Sequence, residues 1–147
     1  MPISQKCQYG LRAILELAKR GSKVTAISEI AAAQDIPARF LEQILNQLRQ
    51  GGFVESRRGP RGGYVLLLDP RGLPVARVIE FLEGPIRPAR GAEADEDDGT
   101  SRSRCVFTRL WDRARSAMAK VYEETSIQDL VELEKSLVPE DAPSYII

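Results

Sequence analysis

Ser56-Arg57-Arg58-Gly59-Pro60-Arg61-Gly62-Gly63-Tyr64 is the stretch whose reading decides the fold. Three arginines and three glycines fall within residues 57–64, between the apolar pairs and runs Phe53-Val54 and Val65-Leu66-Leu67-Leu68. Two short apolar segments around a Gly/Pro-rich centre predict a β-hairpin with a cationic tip. Glycine permits positive φ and close backbone approach, and Pro60 pre-sets one turn dihedral. Arginines carried on such a tip are placed to meet phosphates or to enter a minor groove.

Upstream of the hairpin lie three helical patterns. Ser4 suits the N-cap of a first helix reaching about Lys19, with Gly21 as its stop. Cys7, Leu11, Ile14, Leu15 and Ala18 share one face of it at helical spacing. Thr25 suits the N-cap of a second helix carrying Ile27, Ile30 and Ala31, and Gln34-Asp35-Ile36 makes a short turn. Pro37 then takes the first position of a third helix, whose apolar stripe is Phe40, Leu41, Ile44, Leu45 and Leu48 and whose end is Gly51-Gly52. Helix, turn, helix, glycine stop and hairpin is the order of a winged helix-turn-helix, with the third helix as the recognition helix. Its first turns offer Pro37, Ala38, Arg39, Glu42 and Gln43 to a major groove. Arg39 has the chemistry to read guanine, Glu42 to accept from cytosine, and Gln43 to pair with adenine.

The 147 residues carry no formal net charge, but the charge is unevenly spread. Residues 1–90 hold 14 Lys/Arg against 8 Asp/Glu, or +6, and residues 91–147 hold 7 against 13, or −6. A basic first part and an acidic remainder fit a nucleic-acid face on the former. There is no histidine, which excludes His-based catalytic triads and the common zinc sites, and no phosphate-binding GxxxxGK[ST] loop. No catalytic constellation is visible, so the chain is not expected to be an enzyme. Neither an apolar run of about 18 residues nor a signal-peptide core at the start is present. The expectation is a cytoplasmic protein with no membrane partner.

Past the hairpin, Asp69–Pro74 is rich in turn residues, and Val75, Val78, Ile79 and Leu82 mark a short fourth helix stopped by Gly84-Pro85. Residues 87–102, with the run Glu93–Asp98, lack apolar side chains to bury and predict a mobile acidic loop. A long helix is expected from about Ser103 to Glu124. Phe107, Trp111, Ala114, Met118 and Val121 recur at spacings of 4, 3, 4 and 3, a coiled-coil seam widened by Leu110 and Ala117. Two heptads do not stand alone in water, so this helix must pack on a partner helix, on the winged domain, or on both. Thr125 or Ser126 suits the cap of a last short helix through Leu133, followed by a tail. The chain thus divides into a DNA-binding domain at 1–86, the loop at 87–102, dimerisation and short C-terminal helices at 103–136, and a tail at 137–147. The fold class is mainly α with a small β-hairpin: a winged helix-turn-helix plus a long C-terminal dimerisation helix.

On these residues the chain resembles the Rrf-two family of bacterial winged-helix regulators. The likeness is carried by Tyr9-Gly10-Leu11-Arg12-Ala13, Glu29-Ile30-Ala31, Phe40-Leu41-Glu42-Gln43-Ile44-Leu45 and Arg58–Tyr64. It continues through Val78-Ile79-Glu80-Phe81-Leu82-Glu83-Gly84-Pro85 and Leu110-Trp111, and it covers about residues 3–135. The resemblance implies a homodimer whose long helix crosses its partner, acting on transcription at palindromic operators. The family's cluster-binding members place three cysteines in the loop and at the start of the long helix. Here Cys105 alone matches them, so no cofactor is expected and an iron–sulfur cluster lacks two of its ligands. In some members a residue near the position of Cys7 completes the cluster held by the other subunit. For Cys7 and Cys105 three readings stand open: an intersubunit disulfide, a metal site completed by carboxylates, or two structural thiols. Reactive thiols favour partly exposed, electropositive settings such as helix starts, which makes Cys105 the better candidate for a reactive site.

The expected function is a homodimeric DNA-binding transcriptional regulator, a repressor, on double-stranded DNA with a palindromic operator. Its DNA contacts are Thr25, Pro37, Ala38, Arg39, Glu42, Gln43, Arg57, Arg58 and Arg61, and its dimer contacts are Phe107, Leu110, Trp111, Ala114, Met118 and Val121. The alternatives are a winged-helix adaptor acting through a protein partner, or a redox or iron–sulfur sensor of the same family, with a protein or small molecule as effector.

Overall fold

The computed structural model describes residues 3–86 and 102–137. The acidic stretch 87–101 and the tail from 138, expected as loop and tail, lie outside the described residues. The chain runs α1 (Gln5–Arg20), α2 (Ile27–Gln34), α3 (Ala38–Gln50), β1 (Val54–Arg57), β2 (Gly63–Leu66), α4 (Val75–Glu83), α5 (Arg102–Glu124) and α6 (Ile127–Leu137). A single 3-10 turn, Pro70–Gly72, links the hairpin to α4.

Ser4 caps α1, its hydroxyl accepting the Cys7 amide, and its own amide donates to Glu83 Oε1 at 2.8 Å, pinning the start of α1 to the end of α4. Cys7, Ala13, Ile14 and Leu17 of α1 are buried in the core, along with Ile30, Leu41, Ile44, Leu45 and Leu48 of α2 and α3. Gly10 lies where α1 meets α4, and a Cβ there would overlap Leu82. The buried face of α1 includes Ala13 and Leu17, while Leu11, Leu15 and Ala18 are half-buried, so the core stripe is rotated from the expected one.

Two capping expectations are corrected. α2 is capped by Ala26, without a side-chain bond, and Pro37 is the N-cap of α3, one position before its first helical residue. Thr25 is instead fully buried in a strand-like bridge with Tyr64: its amide donates to the Tyr64 carbonyl at 2.9 Å and its carbonyl accepts the Tyr64 amide at 2.8 Å. A side chain on Gly63 would overlap the Thr25 carbonyl, so this third segment approaches the hairpin only where a glycine stands. The turn into α3 is made by Asp35 in the left-handed region, φ 51°, a conformation that aspartate tolerates better than most residues.

β1 and β2 pair antiparallel, Val54 opposite Leu66 and Arg57 opposite Gly63. The base of the hairpin is held by the ring of Phe53 against Phe81 of α4, centroids 5.0 Å apart. The long helix starts at Arg102, and the last helix extends to Leu137, one turn beyond the expected end. Ser126 and Asp129 form a capping box at the start of α6, each side chain accepting the other's amide. Val75 donates to the Thr125 carbonyl and Ile127 to the Leu73 carbonyl, which stitches the α5–α6 junction to the entry of α4. From there α6 turns back onto α1, burying Ile127 and Val131.

Candidate nucleic-acid interface

The amphipathic pattern of α3 decides which of its residues face outward. With Leu41, Ile44, Leu45 and Leu48 buried, Ala38, Arg39, Glu42 and Gln43 are exposed, as is Pro37 just before them. Arg39 lies 4.6 Å from the centroid of the Phe40 ring, which orients its guanidinium along the helix surface. Phe40, expected in the core stripe, is 41% exposed, because it lines a groove of about 320 Å³ between α1 and α3 with Tyr9 and Gln43. The same outward stripe continues to Asn46 and Arg49, which the sequence reading left out. Their spacing from Arg39 and Gln43 is the signal that finds them. Arg49 Nη2 donates to Asn46 Oδ1 at 2.7 Å, so these two act as one polar unit.

The cationic tip behaves as its composition requires. Gly59 takes φ 110°, and the Gly62 amide closes a tight turn on the Gly59 carbonyl at 2.9 Å. Arg57, Arg58 and Arg61 are all exposed. Arg57 Nη2 pairs with Glu55 Oε2 at 2.9 Å on the strand itself, whereas Arg58 and Arg61 have no ion pair within the described residues. Among the described residues, then, two of the three arginines have no carboxylate partner, and the third shares its charge with Glu55. Thr25, expected at this interface, is the exception. Its side chain is buried and its hydroxyl donates to the Lys23 carbonyl at 3.2 Å, so its contribution is to tie the hairpin to the start of α2. Through that tie the wing and the helix-turn-helix form one body.

The two cysteines are placed very differently. Cys7 is buried in the core, and burial pushes its thiol up to about 11, with Glu83 adding to the effect and Lys6 opposing it. Cys105 is exposed near the start of α5, two residues before Phe107 and so on the far side of the helix from it. Both are free thiols. Among the described residues no three His, Cys, Asp or Glu side chains gather closely enough to hold a metal ion. The donors that the chain offers do not fit an iron–sulfur cluster: two thiols in all, one sealed in the core, and no histidine.

Of the expected dimer residues, Phe107, Leu110, Trp111, Ala114 and Val121 are exposed. Phe107 and Trp111 stack with centroids 6.3 Å apart. Met118, counted in the same seam, is half-buried in a cleft of its own protomer with Ile79, Pro85 and Tyr122. The helix rests on its own domain through Met118, the buried Ala119 and Tyr122, one face over from the exposed aromatics. No described helix is long and apolar enough to cross a membrane.

Comparison with known proteins agrees with this geometry. The family model Rrf2, described as an iron-dependent transcriptional regulator, matches residues 3–133. The HTH-type transcriptional regulator CymR of Bacillus subtilis is 38% identical over 131 residues, 88% of this chain and 89% of that protein. The HTH-type transcriptional regulator IscR of Cereibacter sphaeroides is 30% identical over 143 residues, 95% of this chain and 92% of that protein. The solved structure of CymR, the global cysteine regulator of B. subtilis, superposes with a TM-score of 0.76 at 34% identity, covering 90% of this chain and 98% of that one. A winged helix-turn-helix fold and a family match that runs over nearly the whole described chain lead to one conclusion: the chain belongs to the Rrf2 family of helix-turn-helix transcriptional regulators.

Proposed function

We propose that the protein is a homodimeric repressor that binds a palindromic operator, with the start of α3 in the major groove and the wing on the flanking backbone. The observation that carries this is the pairing of Thr25 with Tyr64, which ties the wing to the segment that enters the helix-turn-helix. A reader built this way positions itself by phosphate contacts and discriminates by base contacts. Arg39, Glu42 and Gln43 supply the base-reading chemistry, and Arg58 and Arg61 the sequence-neutral charge. The dimer is supported by the exposed aromatics of α5, an apolar surface that a soluble monomer has no reason to display. Two copies related by a twofold axis would present two α3 helices to successive major grooves, which is why the operator should be palindromic.

The likeness to a protein described as a global cysteine regulator makes promoters of cysteine metabolism the first DNA to try. The test is a fluorescence-anisotropy titration of the full chain on such palindromes across a salt series. Sequence-selective binding that weakens steeply with salt supports the operator reading. Binding indifferent to sequence, or none, favours an adaptor that works through a protein partner.

A further inference from the structure

Glu16 is a carboxylate almost out of contact with solvent, 5% exposed, on the α1 face that meets α2. Burying a charge is costly unless it is fully paired, and an apolar replacement is often as stable. A buried ion kept in a core therefore calls for a geometric reason. Both of its oxygens are used. Oε1 accepts from Arg20 Nε at 2.9 Å, and Oε2 accepts from Gln34 Nε2 at 2.8 Å and Lys19 Nζ at 3.2 Å.

Each donor leads elsewhere. Gln34 is the last residue of α2, immediately before the left-handed Asp35 that aims α3. Arg20 reaches on through Nη1 to Glu29 Oε2 at 2.9 Å, in the first turn of α2. Lys19 reaches on to Glu134 Oε1 at 2.7 Å, on α6. One carboxylate thus holds both ends of α2 and connects them to the C-terminal helix. α2 has few anchors of its own: eight residues, no side-chain cap and one buried side chain, Ile30, so the ion pairs add to a short list of holds.

We infer that Glu16 is a positioning residue for operator recognition: it clamps α2 at both ends, and through Lys19 it links the angle of the helix-turn-helix to α6. The inference rests on the operator reading above. The test compares wild type with Glu16→Gln, which keeps the shape and removes the charge, by three readouts: sedimentation, amide hydrogen exchange over residues 27–34, and affinity for operator and for unrelated DNA. The clamp predicts faster exchange in α2 and a loss of operator affinity of about tenfold, with affinity for unrelated DNA nearly unchanged because the wing's phosphate contacts remain. Lys19→Met, which cuts the α6 arm, should give a smaller loss in the same direction, and Lys19→Met combined with Glu134→Gln no more than either alone.

A folded Glu16→Gln protein with wild-type operator preference and wild-type exchange in α2 would overturn the clamp. So would a parallel loss on both DNAs that follows the fraction unfolded. Should that variant not fold, Gln34→Ala removes the α2 arm alone and is judged by the same outcomes. If wild type itself shows no operator preference while exchange in α2 rises in the variant, the clamp stands and the operator reading fails.

Discussion

The two thiols should differ in reactivity as sharply as they differ in burial. Thiolate is the nucleophile, and Cys7 is held protonated in the core with its pKa near 11, while Cys105 meets solvent. Alkylation of the folded protein at pH 8, read by mass spectrometry, should modify Cys105 first and Cys7 only after unfolding. Equal labelling rates would mean that the core around Ser4 and Glu83 opens freely. The raised pKa also sets an alkaline limit. A thiol whose folded pKa exceeds its ordinary value near 9 stabilises the fold fully below that value, and the contribution is lost as pH rises from about 9 to 11. Urea midpoints should fall over that range more in wild type than in Cys7→Ala. Lys19, whose pKa is raised chiefly by its bond to Glu134, is common to both proteins and does not distort the comparison. Helical spacing put Cys7 on the face of Ile14 but left its role open, and its burial in the core decides for a structural thiol. Spacing could not announce Glu16 as a hub: Lys19 and Arg20 stand at the right intervals along α1, but Gln34 and Glu134 arrive only through tertiary folding.

Among the elements, hairpin and recognition helix should fail in different ways when mutated. Arg58→Ala and Arg61→Ala each remove an exposed cation at the wing tip. Binding should weaken on all sequences, with the salt slope reduced by about one unit per arginine lost. Arg57→Ala should cost less, because its charge is already shared with Glu55. Glu42→Ala should leave the slope unchanged and relax one operator position by about 1–3 kcal/mol. Affinities on a panel of single-base operator variants separate the two behaviours. An unchanged preference profile for the Glu42 variant would remove it from base readout. Local pattern made both elements readable, since a hairpin and an amphipathic helix are written in contiguous residues. Thr25 was misread for the opposite reason. As a local signal it is an N-cap, but its backbone groups are taken by Tyr64, 39 positions along the chain, and the cap shifts to Ala26. Met118 shows what spacing alone does not tell: the 4-3 pattern puts it on the seam, and the docking of α5 on α4 leaves it half-buried against its own protomer.

The proposed assembly draws on α5, whose C-terminal part is committed to its own protomer. Its C-terminal turns bury Ala119 and end in the backbone stitch at Thr125, whereas Val106, Phe107, Leu110 and Trp111 stand clear of the domain. Trp111 is 55% exposed within the protomer, so its truncation leaves no internal cavity there, and Trp111→Ala should fold with nearly wild-type thermal stability as a monomer. In the proposed dimer the same ring, stacked on Phe107, would lie near the middle of the exposed patch. Buried aromatic anchors at interface centres cost about 2 kcal/mol or more when cut to alanine, roughly a thirtyfold weakening of association. Sedimentation at micromolar concentration should therefore show Trp111→Ala shifted toward monomer. Operator affinity should fall with it, since each half-site is then bound without the help of the other, while the affinity for a single half-site stays unchanged. A folded variant that remains fully dimeric would place the interface on another surface. An unfolded one would show that the free end of α5 is needed by the protomer's own core, against the exposure of its aromatic face.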